Sequence, residues 1–172
     1  LMYIISERGK AMKTDYSEII KIHSEMVYRI AFAGTANAAD AEDITQDVFV
    51  KLLKYRKKFE SEEHCKAWLI RVTLNEVKLL KRSAWFRKRD SNTEINEIHS
   101  DNDICIQAEN MLVYDAVMKL KHDQRIAVIL FYFYDYSCGE IAEMSGTKES
   151  TVRTRLKRAR ENLRTTLKER IL

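Results

Sequence analysis

The sequence predicts an all-α fold, with two small helical domains strung on an acidic linker. Three observations carry that prediction. Proline is absent and glycine occurs only four times in 172 residues, so few breakers interrupt a chain rich in Lys, Glu, Leu and Ala. Apolar residues recur at helical spacing, and an all-β chain would need more turn residues than are present. Between the two periodic halves, Asp90 to Glu109 contains no Lys or Arg and loses the periodicity. The length suits one ordinary domain or two small ones. An apolar fraction of 45% and a charged fraction of 33% allow a core beneath a dense charged surface.

Residues 1–11 read as an N-terminal extension expected to be disordered, so the first domain spans 12–89. Asp15 followed by Glu18 has the spacing of a capping box. Ile19, Ile22, Met26, Ile30 and Ala33 then form one stripe, which Gly34 is expected to end. A second helix is expected over 37–59. Ala41, Ile44, Val48 and Leu52 form its stripe, widened by Phe49 and Leu53. Its first turns carry Asp40, Glu42, Asp43 and Asp47, and its last turns Lys51, Lys54, Arg56, Lys57 and Lys58. Acid first and base last suits the helix dipole, which by itself accounts for the gradient. A third helix is expected from about Cys65 to Lys88, with Trp68, Leu69, Val72, Val77 and Leu80 inward and a strongly basic far end.

The stretch 90–108 then reads as a linker. Its acids are either simply solvated, or they mimic nucleic acid or lie in a basic channel of a partner. Helical periodicity resumes in a second domain, 109–172. Met111 to Leu120 suggests one helix and Ala127 to Tyr134 another. Ser137 and Glu140 have capping-box spacing, Ile141, Ala142 and Met144 give a short inner face, and Ser145-Gly146-Thr147 makes a tight turn in which glycine can take positive φ. A long helix follows from about Lys148, with Val152, Leu156, Ala159, Leu163 and Leu167 on one face and many Lys and Arg elsewhere.

A short helix, a glycine turn and a basic helix form the unit that lays a recognition helix in the major groove of DNA. The rival reading is a basic amphipathic helix packed on a neighbour or on an acidic protein. Under the DNA reading, Glu149, Ser150, Arg153 and Thr154 face base edges, and Lys148, Arg155, Lys157 and Arg158 meet phosphates, with Thr151 between the two classes.

Other chemistry finds little footing. Cys65, Cys105 and Cys138 are far apart and form no C-x-x-C pair, which favours reduced thiols in a cytoplasmic protein over a disulfide or zinc framework. No metal or cofactor is expected. No apolar run reaches membrane-spanning length. There is no P-loop, no paired His and carboxylate motif and no nucleophile triad at a recognised spacing, so a nuclease or other enzyme is disfavoured.

Three segments carry a family likeness. Gly139 to Arg164, GEIAEMSGTKESTVRTRLKRARENLR, resembles region 4.2 of the sigma-70 family, above all its small extracytoplasmic-function members. Asp40 to Tyr55, DAEDITQDVFVKLLKY, is similar to region 2.2, and Ala67 to Ser83, AWLIRVTLNEVKLLKRS, to regions 2.3 and 2.4. The likeness runs over residues 14–168, with the segments in the family's order. It implies a transcription initiation factor without chemistry of its own. Its partners would be core RNA polymerase, through the β′ clamp helices and β flap, then promoter DNA and an anti-sigma factor. It implies polymerase binding by Asp40, Asp43, Gln46 and Asp47, an acidic stripe suited to a basic partner. It implies contact with the −10 element by Arg71, Asn75, Lys78, Lys81 and Arg82, and with the −35 element by the helix after Gly146. A pocket for a flipped base would lie near Phe59 to Lys66. Trp68 suits either base stacking or the core, with the core favoured by Leu69 and Val72 beside it. Three positions depart from the family pattern. Lys121 stands where a proline commonly begins a helix, which leaves that start less rigid. Lys148 stands where a serine commonly caps, so that Thr147 is expected to cap instead. Glu76 replaces a small residue. The competing function is a stand-alone helix-turn-helix regulator that binds duplex DNA as a dimer.

Overall fold

The computed structural model describes residues 3–5, 11–13, 16–55, 57–83 and 108–171. Asp15 of the expected capping box and the linker up to residue 107 lie outside them. The described elements are β1 (Tyr3–Ile5), β2 (Ala11–Lys13), α1 (Tyr16–Thr35), α2 (Ala38–Lys54), α3 (Glu62–Arg82), α4 (Ala108–Met118), α5 (His122–Val128), a π-helical turn (Ile129–Phe133), α6 (Cys138–Ser145) and α7 (Glu149–Ile171). The chain divides into two compact units, Leu1–Phe32 with Ala39–Ser91, and Ala33–Ala38 with Asn92–Leu172.

The first unit opens with a short antiparallel ladder that the sequence did not announce. β1 pairs with β2 in the register Tyr3 to Lys13, Ile4 to Met12 and Ile5 to Ala11. The expected domain start at residue 12 therefore falls inside a strand. In α1, Ile19, Met26, Val27, Ile30 and Ala31 are buried, but Ile22 is 57% exposed and His23 takes the inward place. The buried run Ile19, His23, Met26, Ile30 follows steps of four, three and four, but a run through Ile22 would fit the helical repeat equally well, so packing across α1 and not the repeat chooses His23. Gly34 does not end α1. The helix continues to Thr35, and the left-handed residue is Ala36 at φ 52°. The Thr35 hydroxyl donates to the Asn37 carbonyl across that corner at 3.1 Å.

α2 buries Ala41, Ile44, Val48, Phe49 and Leu52 and leaves Leu53 half exposed. α3 starts three residues earlier than expected, at Glu62, because Ser61 is its N-cap and accepts from the His64 amide at 3.1 Å. Cys65, Leu69, Ile70, Leu74 and Val77 make the buried face. Phe59, fully buried in the connection before α3, stacks on Tyr55 with centroids 4.9 Å apart and meets Trp68 edge-on at 5.7 Å. Burial and the nearby Glu62 carboxylate push the Cys65 thiol up to about 12. It stays protonated and inert at neutral pH.

In the second unit α4, α5 and α6 all pack on α7. Ala116, Val117, Leu120, Ala127, Val128, Leu130, Ile141, Ala142, Met144, Val152, Leu156 and Ala159 form its core. Lys121 gives α5 no side-chain cap. The start of α5 is nonetheless fastened, since the buried Arg125 guanidinium donates from Nη1 to the Met118 carbonyl at the end of α4 at 2.5 Å. Burial lowers that guanidinium to about 10, which leaves it charged at neutral pH. No described helix is long and apolar enough to cross a membrane.

Candidate nucleic-acid interface

The geometry of α6, the turn and α7 follows from local chemistry. The Ser137 amide and hydroxyl donate to Glu140 Oε2 at 2.8 and 2.6 Å, and the Glu140 amide donates back to Ser137 Oγ at 3.3 Å. This is the reciprocal capping box expected from the spacing. The hydrogen bonds from the Ser137 side chain and backbone hold the Glu140 carboxyl below its ordinary range. Gly146 ends α6 in the left-handed region at φ 62°, ψ 41°. The Thr147 amide then closes on the Ala142 carbonyl at 2.9 Å.

Thr147 does not cap α7. Its hydroxyl meets Ser145 Oγ at 2.9 Å, while the Lys148 carbonyl accepts from the Val152 amide at 3.2 Å. Lys148 is thus the residue flanking the helix, and α7 begins at Glu149. The hydrogen bond to the buried Ser145 hydroxyl keeps the Thr147 side chain turned back toward α6.

Val152, Leu156 and Ala159 are buried, so the opposite side of α7 faces out. Lys148, Glu149, Ser150, Arg153, Thr154, Lys157 and Arg158 are all exposed on it, and Thr151 is partly covered. Arg155 is placed differently. Its Nη2 pairs with Asp123 of α5 at 2.9 Å and its side chain is only 26% exposed. Its first tie is to the neighbouring helix rather than outward, because position 155 sits at the edge of the buried stripe. Gln124 accepts from Asn162 at 3.2 Å a little further along the same seam. Asp123 and Gln124 were not singled out in the sequence, since a polar pair across two helices leaves no periodic signal.

On α3, Arg71, Asn75, Lys78 and Arg82 are exposed and follow steps of four, three and four, so they share one face. Lys81 is partly covered beside that face. Glu76 points elsewhere. It forms an ion pair with Lys51 of α2, and its side chain is 12% exposed. Its charge is therefore spent on joining two helices and does not face the basic stripe. Trp68 packs on Tyr55 at 4.7 Å and on Phe59 while remaining partly exposed, so it lies at the edge of the core and not within it. His64 meets the Phe59 ring edge-on at 5.6 Å.

On α2, Asp43, Gln46 and Asp47 are exposed, followed along the same side by the half-exposed Val50 and Leu53. Asp40 is a correction. It is only 9% exposed, in the first turn of α2, and does not belong to the outward acidic stripe. A carboxylate in a first turn gains from the helix dipole whichever way it faces, so sequence could not separate it from Asp43 and Asp47. Among the described residues, no three His, Cys, Asp or Glu side chains cluster as metal ligands would.

Residues 19–87 match the family described as Sigma-70 region 2, and residues 110–163 the one described as Sigma-70, region 4. The chain is similar to the ECF RNA polymerase sigma factor SigL of Mycobacterium tuberculosis, 28% identical over 151 residues, covering 86% of this chain and 85% of that protein. It is similar to the ECF RNA polymerase sigma factor SigW of Bacillus subtilis, 25% identical over 182 residues, covering 96% of this chain and 95% of the relative. Among solved structures it resembles the sigma factor RpoE of Bartonella quintana, crystallised in complex with the anti-sigma factor NepR. That match has a TM-score of 0.70 and 25% identity, and covers 90% of this chain and 97% of the other.

Proposed function

We propose, for a chain that belongs to the sigma-70 family and to its extracytoplasmic-function branch, that its two helical units divide promoter recognition between them. The protein is a sigma factor for transcription initiation, which binds core RNA polymerase and promoter DNA. A stand-alone helix-turn-helix regulator is not favoured, because it would leave the region 2 match over residues 19–87 without a role.

In this reading a first domain of 12–89 and a second of 109–172 are joined by a tether of 90–108. The exposed stripe Arg71, Asn75, Lys78 and Arg82 meets the −10 element, assisted by Lys81. The Asn75 amide is able to bond a base edge, and the cations beside it hold the backbone of a separated strand. The outer face of α7 meets the −35 element. Arg153 and Thr154 read bases there, while Lys148, Lys157 and Arg158 neutralise phosphates. Asp43, Gln46 and Asp47 dock on the β′ clamp helices, and the second unit meets the β flap. The protein works in the cytoplasm, needs no cofactor and has no catalytic residue. The solved relative in complex with an anti-sigma factor supports an anti-sigma partner for this chain.

The observation that carries this reading is the outer face of α7, which is basic and exposed beyond a fully formed capping box and glycine turn. The test is promoter-dependent run-off transcription with purified core polymerase. Specific transcripts should appear only when this chain is added. Tight binding to duplex operators with no association to core polymerase would sink the reading.

A further inference from the structure

Glu149 and Arg153 stand one turn apart on the exposed face of α7, and their side chains meet each other. Arg153 donates from Nε at 3.0 Å and from Nη2 at 2.5 Å to the same oxygen, Glu149 Oε1. A guanidinium has two donor edges, Nε with Nη2 and Nη1 with Nη2. The carboxylate occupies the first. The second is left pointing away from the carboxylate, and it matches the O6 and N7 acceptors of guanine.

A β-carbon placed on Gly139, in the first turn of α6, would lie 3.9 Å from Glu149 Oε2. That is ordinary contact distance, so the first turn of α6 lies beside the pair without holding the carboxylate. The side chains are 47% and 69% exposed, so in water the pair adds little to the helix. Its consequence lies in orientation, once a groove closes over it and excludes water.

We propose that Glu149 is a positioning residue that selects which edge of the Arg153 guanidinium reads the duplex, and is not itself a reader of bases. This rests on the assignment of Arg153 as a base reader. It also has a consequence of opposite sign. A carboxylate facing a phosphate-lined groove weakens general binding, so Glu149 improves discrimination while lowering affinity for unrelated DNA.

The experiment uses the full chain bound to core polymerase and a −35 duplex selected by that holoenzyme from a randomised library, with each base pair then replaced in turn. Wild type is compared with Glu149→Ala, Glu149→Gln, Arg153→Ala and the Glu149→Ala, Arg153→Ala double variant. Glu149→Ala is expected to lower discrimination about fivefold to tenfold at the base pair that Arg153→Ala also affects, and to raise binding to unrelated duplex. The double variant should discriminate no worse than Arg153→Ala alone. Glu149→Gln retains an acceptor oxygen, so it should keep most of the discrimination while still raising unrelated binding. The proposal is overturned if Glu149→Ala leaves base preference intact, or changes it at a base pair that Arg153→Ala does not touch. If Arg153→Ala weakens all duplexes equally, the base-reading assignment fails and the positioning role fails with it. If Arg153→Ala loses discrimination and Glu149→Ala does not, the positioning role alone fails.

Discussion

At the scale of single residues, what a side chain does here depends on which neighbour reaches it first. Arg153 and Arg155 are two residues apart on the same basic helix. Arg153 stands outward with one donor edge open, while Arg155 is tied to Asp123. Arg153→Ala should therefore cost about 1–3 kcal/mol of discrimination at one −35 position, seen as a selective loss when each base pair is varied. Arg155→Ala should act first on the α5 and α7 seam. On α2 the acids divide in the same way. Reversing charge in Asp43→Arg with Asp47→Arg should weaken association with core polymerase in a competition titration, and unchanged affinity would remove α2 as a dock. Asp40 is left out of that pair because it is buried.

At the scale of elements, helix ends carry most of the local specification. The Ser137 and Glu140 box was legible from spacing alone, and both halves of it form. Ser137→Ala should cost about 1 kcal/mol in urea denaturation, by removing the acceptor for the Glu140 amide and a donor to its carboxylate. Gly146 was legible for the same reason, since a helix end before a basic helix calls for a residue able to take positive φ. The end of α1 was not legible. Gly34 has the residue type for a helix stop, yet the left-handed position falls on Ala36. An alanine there bears a strain of about 1–2 kcal/mol, partly offset by its lower unfolded-state entropy. Ala36→Gly should thus raise stability by up to about 1 kcal/mol, measured by the denaturation midpoint.

At the scale of the whole molecule, a buried histidine ties the first unit's stability to pH in a way its helices alone would not. His23 lies inward in α1. Burial lowers its pKa, the Glu62 carboxylate opposes that shift, and Lys66 adds to it. With the folded value depressed, the unfolded chain binds the proton more readily than the folded one. Stability from this group is therefore intact above the ordinary value of 6.5 and falls as pH drops below it, levelling off beneath the folded value. Denaturation midpoints should show that fall, and His23→Gln should flatten it. A slope that survives the substitution would assign the effect elsewhere. The sequence by itself determined the helical class, the two periodic halves, the α6 cap and turn, and the basic outer face of α7, because each rests on contacts within a few residues or on a repeat along one helix. Tertiary structure alone decided that His23 rather than Ile22 faces inward, that Asp40 is covered, that Glu76 is matched by Lys51, and that Arg155 answers to Asp123. Those outcomes turn on which element lies across the gap, and a single helix carries no record of its neighbour.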